Sequence, residues 1–363
     1  MIYLAYIVLV FTGIQLVTAL MNVVLKQRLP KSDRANNTVL VSILIPARNE
    51  ERTIGNLLND LRQQDYQNIE MFVYNDQSTD KTVEIVEQFT KNDTRIHLID
   101  GQVLPEGWLG KNHACYTAAQ HASGSFLLFL DADVRIKNEF IKSAITMMKS
   151  NKLTLLSLFP KQEMTSWGER ISVPLMNYIL LTLLPLRFVQ KSWFSSHSAA
   201  NGQCMMFNTD DYKRLQPHER VKTQLVEDVA IARLLKRSKH TIACLLGNDT
   251  ISCRMYHHYN EAVNGFSRNI LQLFGSSAML AILFWFITTL GFIPILVALP
   301  TTYLIAYVLA YLLIRILVSY ASKQSIWRNC INFIPQQLTL GFIIYKGIYN
   351  RLIHKHEWKG RVI

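Results

Sequence analysis

Residues 2–25 carry no charged side chain, and no other feature of the sequence narrows the possible folds as much. A helix of that length crosses a hydrocarbon core of about 30 Å with some tilt. A cleaved secretory signal is the competing reading, but it needs a basic start, a shorter apolar core and a small-residue cleavage site. Met1-Ile2-Tyr3 supplies no basic residue, so residues 1–25 read as a transmembrane anchor. A second uncharged run covers 278–299; after Pro300 a third covers 301–322, interrupted only by Arg315. Together these predict a transmembrane hairpin that turns at Pro300. Composition agrees: half of the 363 residues are hydrophobic and 18% are charged. Soluble proteins are nearer a quarter charged, and disordered segments carry far less apolar side chain.

The 38 Lys+Arg outnumber the 26 Asp+Glu, for a net charge of +12. Lys26, Arg28, Lys31 and Arg34 follow the first run, and Lys323 and Arg328 follow the third. Positive loops stay in the cytoplasm, so residues 26–277 are expected there, with Met1 outside. Basic residues that flank spans, rather than forming an aromatic-lined stripe, point to anionic lipid and away from nucleic acid. Arg315 is close enough to the cytoplasmic end of its span to snorkel toward the interface. Two stretches are ambiguous. The run 171–186 is short and holds Pro174 and Pro185, which favours an interfacial helix. The run 329–345 contains Asn332, Pro335, Gln336 and Gln337. If it spanned, Arg351, Lys355, Lys359 and Arg361 would lie outside, so a re-entrant or interfacial segment is expected. Cys115, Cys204, Cys244, Cys253 and Cys330 are scattered without a CxxC pair, which indicates neither a zinc site nor a disulfide framework.

Between the anchors, β-rich runs at 40–45, 70–74, 96–99 and 126–130 alternate with helical patterns at 51–63, 81–89, 113–121 and 138–149. This alternation predicts an α/β fold with a mostly parallel sheet covered on both faces. Polar residues cluster where strands end, at Arg48-Asn49-Glu50, Asn75-Asp76 and Asp131-Ala132-Asp133. Open α/β sheets bind ligands at those carboxyl ends. The resulting organisation is an anchor at 1–25, a catalytic domain at 40–270, transmembrane or interfacial helices at 278–345 and a basic cytoplasmic tail at 346–363.

Phe129-Leu130-Asp131-Ala132-Asp133 puts two carboxylates at the end of an apolar strand. If the strand alternation continues, a spacing of two sends both to one side, where they suit a hard cation such as Mg²⁺ or Mn²⁺. Taken alone, the pattern is more often a polar loop. Upstream lie Tyr74-Asn75-Asp76-Gln77-Ser78-Thr79-Asp80 and Ile45-Pro46-Ala47-Arg48-Asn49-Glu50-Glu51, each closing a strand. Ser78 and Thr79 also serve as helix caps, and Glu50 and Glu51 as first-turn carboxylates favoured by the helix dipole.

These three stretches, in this order, resemble the family 2 inverting glycosyltransferases of the GT-A fold. The resemblance continues through Gly110-Lys111 in Trp108-Leu109-Gly110-Lys111-Asn112-His113-Ala114 and through Glu227-Asp228. It covers roughly residues 40–270. The arrangement of N-terminal span, catalytic domain, C-terminal spans and a tail Glu357-Trp358-Lys359-Gly360-Arg361 is similar to the bacterial lipid-directed branch, which includes carotenoid glycosyltransferases and relatives of ceramide glucosyltransferase. The resemblance implies a nucleotide-sugar donor, commonly UDP-glucose, held by Pro46, Glu50, Asp76, Lys111, Asp131 and Arg254. It also implies a metal on Asp131 and Asp133, and a catalytic base at Asp228. Asp76 is then near the base or ribose, Glu50 accepts from a ribose hydroxyl, and the planar fork of Arg254 reaches the diphosphate. Two departures matter. The family's D-D-G-S-T-D reads Asn75-Asp76-Gln77-Ser78-Thr79-Asp80, losing one carboxylate and the glycine. The Gln-x-x-Arg-Trp signature of processive synthases is absent, its nearest match being Gly265-Phe266-Ser267-Arg268-Asn269.

The expectation is therefore transfer of a single sugar from a UDP-sugar to a lipid acceptor at the cell membrane, with the catalytic domain cytoplasmic. A processive or polyprenyl-phosphate transferase would keep the same carboxylates and is separated by product analysis. A non-catalytic lipid-binding or transport protein is the alternative of another class, and losing the carboxylates would favour it; Asp131, Asp133 and Asp228 are all present. Glu227 reads as a surface residue opening a helix, and His113 as a helix-surface or satisfied core residue.

Overall fold

The computed structural model describes residues 1–32 and 38–353, and the backbone of 357–358 and 361–362. Arg34, Lys355 and Lys359 lie outside the described residues, as does the side chain of Arg361. The chain forms two compact units. One comprises Arg28–Lys161 and Leu186–Arg254; the other comprises Met1–Gln27, Gln162–Pro185 and Met255–Ile363.

The first unit is built on strands β1 (Val41–Ala47), β2 (Ile69–Asn75), β3 (Ile96–Asp100), β4 (Phe126–Leu130), β5 (Val134–Ile136), β6 (Leu155–Phe159), β7 (Lys161–Gln162, at its boundary), β8 (Cys204–Asn208), β9 (Ile242–Leu246) and β10 (Ile251–Cys253). Seven of them make one sheet in the order β3-β2-β1-β4-β8-β6-β9. β1 pairs in parallel with β2 and β4, β2 with β3, and β6 with β9, while β8 runs antiparallel between β4 and β6. All five residues of β4 are buried, which accounts for its uninterrupted apolar sequence. The helix Ile54–Arg62 buries Ile54, Leu57, Leu58 and Leu61, the one-face spacing of an amphipathic helix. Pro46 is tolerated in a central strand because the β1–β4 ladder ends at Leu44, while the β1–β2 ladder runs on to Ala47. Beyond Leu44 no β4 carbonyl needs the amide that proline lacks. The four expected strands and helices are present. The second half of the sheet, β6, β8 and β9, goes beyond the sequence reading.

In the second unit, Ile2–Val24 and Thr301–Ala321 are long and apolar enough to cross a membrane. The run 278–299 forms two helices, Ala278–Leu290 and Phe292–Ala298, so the first leg of the expected hairpin is broken at Gly291. Tyr259–Leu273 and Ala278–Leu290 form a pair bent by 105° that together also has the length and composition of a span. Asn22 donates to the carbonyls of Leu181 and Leu184, both at 3.0 Å, meeting orphan acceptors at the end of helix Pro174–Leu183.

Arg315 does not snorkel. It is 3% exposed; its guanidinium donates to Gln336 Oε1 and to Tyr311 Oη at 3.0 Å, and it lies 4.3 Å over the ring of Tyr178. Gln336 in turn donates to Asn329 at 3.1 Å, and Asn329 to Ser319 at 2.9 Å. Of the polar residues that made 329–345 ambiguous, Gln336 is thus the direct partner of a buried cation, and Gln337 donates to Tyr311 Oη at 2.9 Å. A 20-residue helix, Phe333–Leu352, carries Gln336 and Gln337. Gln336→Leu removes the principal acceptor of a buried guanidinium, a loss on the order of 3 kcal/mol. Thermal melting in detergent is expected to show a clear drop for Gln336→Leu and a smaller one for Gln336→Glu, which retains an acceptor.

Candidate active site

The carboxyl ends of β1, β2 and β4 gather the predicted residues into two groups. In the first, the loops after β1 and β2 are tied together. Asp76 N–H donates to the Ala47 carbonyl at 2.8 Å, and Arg48 donates to the Asp76 carbonyl at 2.6 Å. Asn49 accepts from Thr79 N–H at 2.8 Å and donates its own N–H to Ser78 Oγ at 3.1 Å. Asp76 is buried within this frame, next to Pro46 and Ala47 in β1. The carboxylate of Glu50 accepts from the Thr53 hydroxyl at 2.9 Å, the local bond its helix-start position favours. Gln77, which replaces the family's glycine, has φ of 56°. The backbone shape is kept even though the residue best suited to it is missing.

The second group centres on Lys111, near the start of helix Gly110–Gln120. Its ammonium is 2.8 Å from Asp131 and 3.2 Å from Glu227. Burial pulls this ammonium down, but Asp131 and Glu227 more than reverse that and hold it well above the ordinary lysine range. Glu227 is therefore an inward ion-pair partner, which corrects the reading of it as a surface residue. Asp228, beside it at the start of helix Glu227–Arg237, accepts from Gly202 N–H at 2.8 Å and from Val229 N–H at 2.7 Å. A Cβ on Gly202 would meet Glu227 Oε1 at 2.9 Å and Lys111 Nζ at 3.1 Å, so a larger residue here would have to displace the ends of this ion pair.

The Asp228 carboxyl is pushed up to about 7 by burial and then by the Glu227 charge, against the two amides and Lys111. A carboxyl held near neutrality is suited to exchange protons. Glu227→Gln removes the like charge, so the Asp228 carboxyl ionises at lower pH. The acidic limb of the pH–rate profile is expected to move down; a limb that stays in place or moves up contradicts the assignment.

After β4 the chain does not continue as a strand: Val134 N–H donates to the Asp131 carbonyl at 3.1 Å, closing a tight turn. Strand alternation therefore does not orient the two carboxylates. Asp131 meets Lys111, and Asp133 lies against Cys253, whose buried thiol is pushed up by desolvation first and then by Asp133 and Asp131. Cys253 pairs with Val134 across the β5–β10 ladder, which carries Arg254 to the level of Asp133. A divalent cation fits this donor set. Among the described residues no cluster of three or more His, Cys, Asp or Glu is arranged for a metal, so two hard carboxylates and the oxygens of a diphosphate would share it, as Mg²⁺ sites commonly do.

The sequence reading gave Gly202, Gln203 and Cys253 no place at the site. Gln203 accepts Asp131 N–H at 3.1 Å through its carbonyl and donates to Cys253 Sγ at 2.8 Å. The available signal was Asn201-Gly202-Gln203 immediately before the apolar run 204–207, once that run is recognised as a strand. His113 is half-buried, its Nδ1 3.3 Å from Tyr74 Oη and its ring edge-on to Trp108.

A mostly parallel sheet with polar residues gathered at its strand ends has the architecture of the GT-A fold. Residues 42–215 match the family model "Glycosyl transferase family 2": the chain carries a family 2 domain and is a glycosyltransferase. It is similar to 4,4'-diaponeurosporenoate glycosyltransferase of Staphylococcus haemolyticus, with 26% identity over 264 residues, 71% of this chain and 68% of the relative. The protein of the same name from Staphylococcus aureus (strain USA300) is 26% identical over 256 residues, 69% of this chain and 66% of its own length. The chain thus spans about two thirds of these relatives. Among solved structures, a mannosyltransferase from Pyrobaculum calidifontis, in complex with GDP-Man and Mn²⁺, shares the fold at a TM-score of 0.56 and 18% identity, covering 96% of this chain and 99% of that one.

Proposed function

We propose that the protein is an inverting, membrane-bound glycosyltransferase that moves one sugar from a UDP-sugar to a lipid acceptor at the cytoplasmic face of the cell membrane. The observation that carries this reading is Asp228, a carboxyl held near pH 7 beside the Lys111–Asp131–Glu227 cluster. Asp228 takes the proton from an acceptor hydroxyl as its oxygen attacks the anomeric carbon, and the nucleoside diphosphate leaves from the opposite face. Asp76, Pro46 and Glu50 hold the nucleoside, and Lys111 and Arg254 face the diphosphate. Asp131 and Asp133 would hold a divalent cation, Mg²⁺ or Mn²⁺, which would supply positive charge to offset that of the departing diphosphate. The Mn²⁺ of the mannosyltransferase neighbour supports that choice of ion. The name of the staphylococcal relatives and the two candidate spans support a lipid acceptor.

Membranes containing the protein are incubated with radiolabelled UDP-glucose and other nucleotide sugars, and the lipid fraction is extracted. A single labelled glycolipid with inverted anomeric configuration is expected. Label found in a polymer, or only in a retained configuration, contradicts the reading.

A further inference from the structure

We propose that the loop at residues 192–197 is seated in the bilayer interface through Trp193 and Phe194, holding the catalytic unit against the membrane. Trp193 is 89% and Phe194 66% exposed, yet the loop that displays them is firmly built. Lys236 donates to the carbonyls of Phe188 and His197, both at 2.9 Å. Ser192 Oγ accepts from Phe194 N–H at 3.2 Å and lies 2.8 Å from His197 Nδ1. Phe188 and Phe194 pack around the His197 ring, at 5.4 and 5.9 Å. A rigid loop that presents two large aromatic rings to solvent gives up apolar burial unless something apolar covers them.

Charge selects the cover. No carboxylate occurs between Glu169 and Asp210, whereas Arg187 and Lys191 immediately precede the loop. Aromatic rings beside basic side chains match the headgroup region of an anionic bilayer, where Trp is enriched and Lys and Arg meet phosphate. The chain reaches the loop from helix Pro174–Leu183, which belongs to the unit containing the two candidate spans.

The seating bears on catalysis. Lys236, which ties the end of the loop at His197 to the helix leading into it at Phe188, is on helix Glu227–Arg237, the helix that begins with Glu227 and Asp228. From His197 the chain runs on to Gly202, whose N–H holds Asp228. Fixing the loop in the interface thus fixes the base relative to the plane from which a lipid acceptor arrives. This second half rests on the lipid-acceptor reading; the seating itself does not.

The full chain is placed in nanodiscs of phosphatidylglycerol and phosphatidylcholine, with or without brominated acyl chains. The difference in emission between wild type and Trp193→Phe isolates Trp193. Strong quenching by the brominated lipid, with shielding from aqueous iodide, is expected. Emission indifferent to bromine and quenched by iodide overturns the proposal, as does shielding that appears only when two copies share a disc, which would assign the loop to a second chain. In the same discs, Trp193→Ser/Phe194→Ser is expected to raise KM for a long-chain lipid acceptor roughly tenfold or more while UDP affinity is unchanged. An unchanged acceptor KM overturns the delivery role. If no lipid is glycosylated at all, the acceptor reading fails while the quenching result still decides the seating.

Discussion

Asp228→Asn is expected to lower kcat by 10²–10⁴-fold with a hydroxyl acceptor, roughly 3–5 kcal/mol of barrier, and to leave UDP affinity nearly intact. The change is close to isosteric, and the amide oxygen can still accept from one of the two N–H donors, Gly202 and Val229, that now each hold a different oxygen of the carboxylate. What is lost is the basic oxygen. A carboxylate acceptor arrives already ionised and needs no base, so with such an acceptor the loss falls far below this range. Kinetics measured with UDP titrations alongside separate the possibilities: a large fall in UDP affinity moves Asp228 into the donor site.

Asp133→Ala is expected to abolish transfer and to weaken metal-dependent UDP binding. Asp131 alone remains, and it is already engaged by Lys111 at 2.8 Å. With a single hard ligand from the protein, the cation loses much of its hold. Calorimetry with UDP and Mn²⁺ reads this directly and independently of turnover. Unchanged affinity in the variant removes Asp133 from the metal site. Without Mn²⁺, the variant and the parent are expected to bind UDP alike.

The first half of the sheet was legible because its strands are continuous apolar runs bounded by polar turns: residues 126–130 were read with the bounds the structure has. The second half was hidden for identifiable reasons. β8 is Cys-Met-Met-Phe-Asn, too Met-rich to signal a strand, and it runs against its neighbours. Missing it meant missing Gly202 and Gln203 just before it, and so the backbone donor that holds Asp228. Glu227 looked like a surface charge because an ion pair to Lys111, more than a hundred residues earlier, leaves no local trace. Arg315 was misread for the same reason. Two of its partners, Tyr178 and Gln336, come from other helices, while Tyr311 lies one turn before it on its own helix. The D-x-D pair was identified from sequence, but its geometry was not, because a turn at Asp131 replaces strand alternation.

The pH dependence of kcat/KM with a hydroxyl acceptor tests most directly whether Asp228 is the base. With that carboxyl pushed up to about 7, the rate is expected to rise with pH along an acidic limb centred near 7 and then level off as Asp228 becomes ionised. In Asp228→Asn the residual rate is expected to lose that limb. A wild-type profile that is flat between pH 5 and 8, or a limb that persists unchanged in Asp228→Asn, contradicts the account.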